Sequence, residues 1–147
     1  MTIVLDSSLF LFAFRNHKLK WLAEWLKTGE DFSTCDIVVA EIKSGVLGVG
    51  KPETRARQML WFQETFSVIP SRDLNRSLCD VASELCGSAR RNGFSATIDD
   101  AFIGATAKEL NAQVATANVK HFEQLGVEAF NPFLENQLEK RKDKAES

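Results

Sequence analysis

Short apolar runs alternate with stretches of helical periodicity along this chain, and that alternation leaves few folds open. Ile3-Val4-Leu5 and Ile37-Val38-Val39 contain no polar residue. A strand without a polar face is buried on both sides, as in a parallel sheet covered by helices. Strands are predicted at 2–6, 35–39, 67–70, 112–117 and 127–130. Helices are predicted after Asp6, over 17–28, within 40–50, over 52–66 and 73–92, and from Thr97 onward. In 73–92, Leu74, Leu78, Val81, Leu85 and Ala89 recur at the spacing of one helical face. The 17–28 segment carries Leu19, Leu22 and Leu26 with Trp21 and Trp25 beside them. That apolar arc spans about 200°, against the roughly 100° one core-facing stripe needs. The 52–66 segment has the same excess in Met59, Leu60, Trp61, Phe62 and Phe66. Two readings stay open for the excess: a partner surface or unusually deep burial.

The chain has 147 residues, which favours one domain. At 44% hydrophobic it is too apolar for a disordered chain. No 18-residue apolar stretch is present, so no membrane span is expected. The opening MTIVLDSS lacks the basic start of a signal peptide. Cys35, Cys79 and Cys86 form no C-x-x-C pair, which suggests thiols in a reducing, cytoplasmic setting. Eighteen basic against twenty acidic residues give a net charge of −2. Contact with a polyanion must then come from a local patch or a metal. The expected organisation is a domain over 1–134 and a polar tail over 135–147, frayed or disordered.

The acids fall at one end of the predicted strands. Asp6 closes the first, Glu41 follows the second, Asp99 and Asp100 open the helix that feeds the fourth, and Asn118 follows the fourth. In an open parallel sheet the ligand crevice lies beyond the carboxyl ends of the strands. Each acid has a structural alternative. Asp6 could cap a helix, Glu41 could be a solvated first-turn acid, and Thr97 to Asp100 reads as a capping box. Caps would scatter between both ends of a sheet, whereas these residues share one. Three converging carboxylates repel one another until a counter-charge arrives, and Mg²⁺ with its oxygen preference supplies it. Their charge of −3 becomes −1 with one Mg²⁺ and +1 with two, so a loaded site attracts the phosphate that an empty one repels.

These residues carry a family resemblance. IVLDSS, VVAEIKSGV and TIDDAFIGATAKELNAQVATANVKHFEQLGVEAFNPF resemble the motifs of PIN-domain ribonucleases. Within that family they resemble the VapC and FitB-like toxins of bacterial toxin–antitoxin pairs. The resemblance runs over about 2–134, and over 51–92 it rests on helix pattern alone. It implies an α/β fold: a single domain with a parallel five-stranded sheet of order 3-2-1-4-5 flanked by helices. It implies Asp6, Glu41 and Asp100 as metal-binding acids, Asn118 as a fourth polar position, and Thr116, Ser8 and Asp99 in support. Ser7 and Ser8 stand where Thr and Asn are usual, and Asn118 and His121 where some members have acids. The implied activity is an Mg²⁺-dependent endoribonuclease, with Mn²⁺ as substitute, hydrolysing RNA by a metal-activated water. Implied partners are RNA, a cognate antitoxin whose amphipathic segment fills a groove between helices, and a second copy in a homodimer.

Other readings are narrower. His17 reads as a surface residue, and His121 either contacts RNA or packs with Phe122. Lys43, Lys51, Arg55, Arg57, Arg90, Arg91 and Lys120 could meet phosphates or simply be solvated. A catalytically inactive PIN module that binds RNA or protein is the main alternative. A receiver domain would need an Asp after strand three and a Lys after strand five, and a haloacid-type phosphatase needs D-x-D after strand one. Here strand three ends in Pro70-Ser71, strand five in Asn131-Pro132, and Asp6-Ser7-Ser8 has no second Asp. Gly45, Gly48 and Gly50 form no nucleotide loop.

Overall fold

A computed structural model describes residues 2–146, with the backbone alone given for 140 and 142–146. The strands are β1 (Thr2–Leu5), β2 (Asp31–Cys35), β3 (Ser71–Arg72), β4 (Gln113–Ala115) and β5 (Ala129–Phe130). The helices before β3 are α1 (Ser7–Arg15), α2 (Leu19–Trp25), α3 (Asp36–Leu47) and α4 (Pro52–Phe66). Those after it are α5 (Arg76–Arg91), α6 (Ile98–Glu109), α7 (Val119–Glu123) and α8 (Glu135–Glu146). The sheet order is β3-β2-β1-β4-β5 and every pairing is parallel. The expected fold class and strand order are therefore the observed ones.

The central strand β1 is flanked by β2 and β4, and its Ile3, Val4 and Leu5 are fully buried. Helix α6 lies close to the sheet because its buried face is built from Ala101, Gly104, Ala105 and Ala107. A Cβ on Gly104 would meet Val127 Cγ2 at 3.3 Å, so glycine permits the approach.

The second strand differs from expectation. Strand β2 is Asp31–Cys35, and the Ile37-Val38-Val39 run lies in the first turn of α3. The strand that forms instead, DFSTC, looks too polar for a buried position. Its hydroxyls are satisfied by backbone: Thr34 Oγ1 donates to Leu5 O at 2.9 Å and Ser33 Oγ to Pro70 O at 3.2 Å. Buried polar groups with partners carry little penalty. Strand β3 also shifts, from 67–70 to Ser71–Arg72, while Pro70 contributes only its carbonyl, which accepts from Thr34 N–H. Helix α5 starts later than expected because the Asn75 side chain caps it through Leu78 N–H, leaving Leu74 outside.

The C-terminal segment forms α8, and Arg141 ties it down. The residue is 5% exposed, and its side chain makes a bidentate pair with Glu30 at 2.7 and 3.0 Å. Its guanidinium carbon also lies 5.7 Å from the Phe130 ring centroid. Breaking a largely buried ion pair by removing one partner is strongly destabilising. Arg141→Ala is expected to cost about 2–3 kcal/mol in a urea titration, with new protease sensitivity within 135–146. An unchanged midpoint would mean that α8 adds nothing to the fold.

Candidate active site

The register of the central strands decides what meets at the sheet's carboxyl edge. Leu5 pairs with Ala115, so the next residues, Asp6 and Thr116, are neighbours just beyond the ladder. Asp6 is 3% exposed, and although it sits at the N-cap of α1 its side chain makes no cap bond. The capping alternative for Asp6 is therefore excluded. Its Oδ2 accepts from Ser8 Oγ at 2.6 Å and from Thr116 Oγ1 at 2.8 Å. The two hydroxyls stand 3.0 Å apart. Two protons serve three close oxygen pairs, and both go to the carboxylate. The hydroxyl lone pairs are then free for amides: Ala117 N–H donates to Ser8 Oγ and Asn118 N–H to Thr116 Oγ1, each at 2.9 Å. One carboxylate is thus held rigidly by two strand ends and the first turn of α1.

Glu41 arrives from a different direction than the sequence suggested. It does not follow a strand but lies in the second turn of α3, six residues past the end of β2. Its Oε2 accepts from Ser7 Oγ at 3.2 Å, while Oε1 is buried without a hydrogen-bond partner among the described residues. Burial pushes its carboxyl above the ordinary 4.5; the Ser7 bond opposes this, and the charges of Asp99, Asp6 and Asp100 add to the rise.

Asp100 sits in the first turn of α6, whose Thr97 cap accepts from Asp100 N–H at 3.3 Å. Burial raises its carboxyl above the ordinary 3.8, and the Asp6 charge adds to this. His121 acts the other way, with Nδ1 standing 3.3 Å from Asp100 Oδ2. Asp99 is exposed and reaches the group only through its charge on Glu41.

Asn118 is exposed at the N-cap of α7, and its side chain makes no cap bond. Its backbone, not its amide, supports the Asp6 network. Sequence reasoning missed two contacts. Ser7 was seen only as a motif departure, yet it is the donor to Glu41. His121 does not pack with Phe122: Phe122 alone is buried, and the His121 Nδ1 stands 3.3 Å from Asp100 Oδ2. His17 is exposed, as expected.

Several basic residues are committed elsewhere. Arg90 donates twice to Ala96 O, at 3.2 and 3.1 Å, and Arg55 donates to Val49 O at 2.9 Å. Lys43, Lys51 and Lys120 are exposed and hold no ion pair among the described residues.

The donor set fits a hard divalent cation. It is all oxygen, and it includes a buried carboxylate oxygen with no hydrogen-bond partner among the described residues. Burial and neighbouring acid charges hold the Glu41 and Asp100 carboxyls above their ordinary values. Among the described residues no three His, Cys, Asp or Glu side chains close into a ready-made metal cage. Mg²⁺ does not need one, since it retains waters and takes one or two carboxylates.

Thr116→Val keeps the shape but removes the proton given to Asp6. A hydrogen bond to a charged group is worth about 1.5–3 kcal/mol, and that loss is expected in the urea midpoint. An unchanged midpoint would show that Ser8 alone holds Asp6.

No curated protein sequence matches the chain. Solved structures with a similar fold include VapBC-1 from nontypeable Haemophilus influenzae, at 19% identity and TM-score 0.75, covering 91% of this chain and 100% of that one. FitAcB from Neisseria gonorrhoeae aligns at 23% identity and TM-score 0.75, over 89% and 98% of the two chains. VapBC-5 from Mycobacterium tuberculosis, described as a member of the VapBC family of toxin–antitoxin systems, aligns at 22% identity and TM-score 0.58, over 78% and 83%. At these identities the likeness is one of fold. The family profile of the PIN domain matches residues 3–128, which span β1 to the residue before β5. With most of its length matched, and with acids drawn together at the carboxyl edge of the sheet, the chain belongs to the PIN domain family.

Proposed function

We propose that this chain is a divalent-metal-dependent endoribonuclease and the toxin of a toxin–antitoxin pair. One observation carries the reading. A buried, hydroxyl-locked Asp6 shares its surroundings with Glu41, whose buried Oε1 has no hydrogen-bond partner among the described residues. An unpartnered carboxylate oxygen among like charges suits a bound cation. Asp6, Glu41 and Asp100 would hold Mg²⁺, with Mn²⁺ as substitute. Bound there, the ion supplies Lewis acidity toward a phosphodiester and acidifies water for attack. The chain's own residues do the positioning. Ser8 and Thr116 fix the Asp6 carboxylate, Ser7 orients Glu41, and His121 bears on Asp100. Exposed Asn118 faces solvent beside the edge, where its amide can meet substrate. Lys43, Lys51 and Lys120 are free to contact phosphates.

A partner reading rests on a groove of about 660 Å³ between α2 and α4, lined by Leu19, Leu22, Leu26, Trp61 and Val68. Asp31 and Glu64 outnumber Lys27 among its charged walls outside the Arg141 pair. An amphipathic antitoxin segment carrying basic residues fits that chemistry. The solved neighbours with this fold are described as VapBC and FitAB-type assemblies, which supports an antitoxin partner.

The test is hydrolysis of total RNA by purified protein with Mg²⁺ or with EDTA. Cleavage confined to Mg²⁺ supports the nuclease. Absence of cleavage by partner-free protein favours a PIN module that only binds.

A further inference from the structure

We propose that Phe94 is a stacking platform for an unpaired base of the RNA substrate, on the connection that leads into the helix carrying Asp100. The inference rests on the ribonuclease reading above. Phe94 lies in the short connection between α5 and α6, six residues before Asp100. Six residues span at most about 20 Å, so the ring lies within a few nucleotides of the acids.

The connection is rigid, which a stacking surface requires. Gly93 has φ +86°, Phe94 N–H bonds to Ala89 O at 3.0 Å and Gly93 N–H to Arg90 O at 3.0 Å. These are the paired bonds of a Schellman motif, in which glycine supplies the left-handed position. The Arg90 guanidinium then clamps Ala96 O, and Thr97 caps α6. The Phe94 backbone is therefore tied at both sides.

The motif accounts for the backbone but not for the exposed ring. An apolar residue at this place in a Schellman motif ordinarily packs back on the helix. Phe94 stays 41% exposed and is not among the residues packed on the core. Ile98, at the start of α6, is exposed in the same way. The neighbouring charge is of the sign that RNA needs. Arg91 is highly exposed, and its only ion pair among the described residues is a 3.9 Å surface contact with Glu84, too weak to hold it from a phosphate. An exposed aromatic ring on a fixed loop, with an exposed cation three residues before it in sequence, suits single-stranded nucleic acid, base on ring and phosphate on cation.

The test is fluorescence-anisotropy binding of a random-sequence single-stranded RNA to the full chain, in an Asp100→Asn background that leaves the RNA uncut. Stacking is worth about 1–3 kcal/mol per base, so Phe94→Ala is expected to weaken binding by roughly 5- to 150-fold. Phe94→Trp should restore it, and Phe94→Leu, equally apolar but without a π face, should not. Equal affinity of Phe94→Ala and its parent overturns the proposal, as does full rescue by leucine. Altered self-association with unchanged RNA affinity would assign the ring to a protein contact and also overturn it. If the parent binds no RNA at all, the ribonuclease reading fails first and takes this inference with it.

Discussion

Glu41→Gln is expected to lower RNA hydrolysis by about 10²–10³-fold, the usual loss when one electrostatic group is taken from a preorganised site. In the same protein it is expected to raise the melting temperature measured without metal. The two effects share a cause. The Glu41 charge is disfavoured by burial and by the charges of Asp99, Asp6 and Asp100, with only Ser7 bonding in its favour. The amide keeps an acceptor for Ser7 and sheds the repelled charge. Gains in stability on removing a functional group are expected where a site is built for a ligand rather than for the fold. Full activity in Glu41→Gln would remove this residue from the site. A lower melting temperature would show that its charge is neutralised by some other group.

Mg²⁺ is expected to stabilise the wild-type protein, and more so at pH 7.5 than at pH 5. A ligand at one hundred times its dissociation constant adds about 2.7 kcal/mol, or roughly 5–10 °C for a chain of this size. The pH dependence follows from the direction of two shifts. Glu41 and Asp100 have raised carboxyl pKa values in the folded chain, so they favour the protonated form there. Their contribution to stability is complete below their ordinary values of 4.5 and 3.8 and is lost as pH rises through the raised ones. Without metal, these two groups make the fold less stable at neutral pH than near pH 5. Mg²⁺ competes with protons for the same oxygens, so its effect grows where the protons have left. Thermal denaturation at both pH values, with and without Mg²⁺, measures this. A Mg²⁺ shift that is absent, or larger at pH 5, would contradict metal binding by these acids. Glu41→Gln should shrink the shift at pH 7.5.

The layer architecture was legible because the strand and helix patterns differ so sharply. Ile3, Val4 and Leu5 could hardly be anything but a buried central strand, and the strand order followed from the family resemblance. The second strand was misread for a physical reason. Ile37, Val38 and Val39 are all β-branched, but Val38 joins Ile42 and Val46 on the buried face of α3, and that helical packing outweighs the weak strand preference. The true strand conceals itself in polar residues whose hydroxyls bond to Leu5 and Pro70, partners 29 and 37 positions away. No local pattern announces such bonds.

The candidate site was legible to the same degree. Asp6, Glu41, Asp100 and Thr116 come together, although Glu41 does so from a helix and not from a strand end. The Asp6 lock depends on register between β1 and β4, which sets residues 110 positions apart side by side. The Ser7–Glu41 and His121–Asp100 contacts are likewise non-local, and neither residue type signals its partner in sequence. Nothing in the sequence around Phe94 distinguishes an exposed ring from a core one. Its exposure on a pinned loop is visible only in three dimensions.

The measurement that bears most directly on the central claim is RNA cleavage by wild type and Asp100→Asn, side by side in Mg²⁺, from preparations shown free of bound partner. Cleavage by wild type that is abolished both by EDTA and by the substitution is the expected result. Cleavage that survives in Asp100→Asn would contradict the claim that the acidic edge of the sheet performs the chemistry.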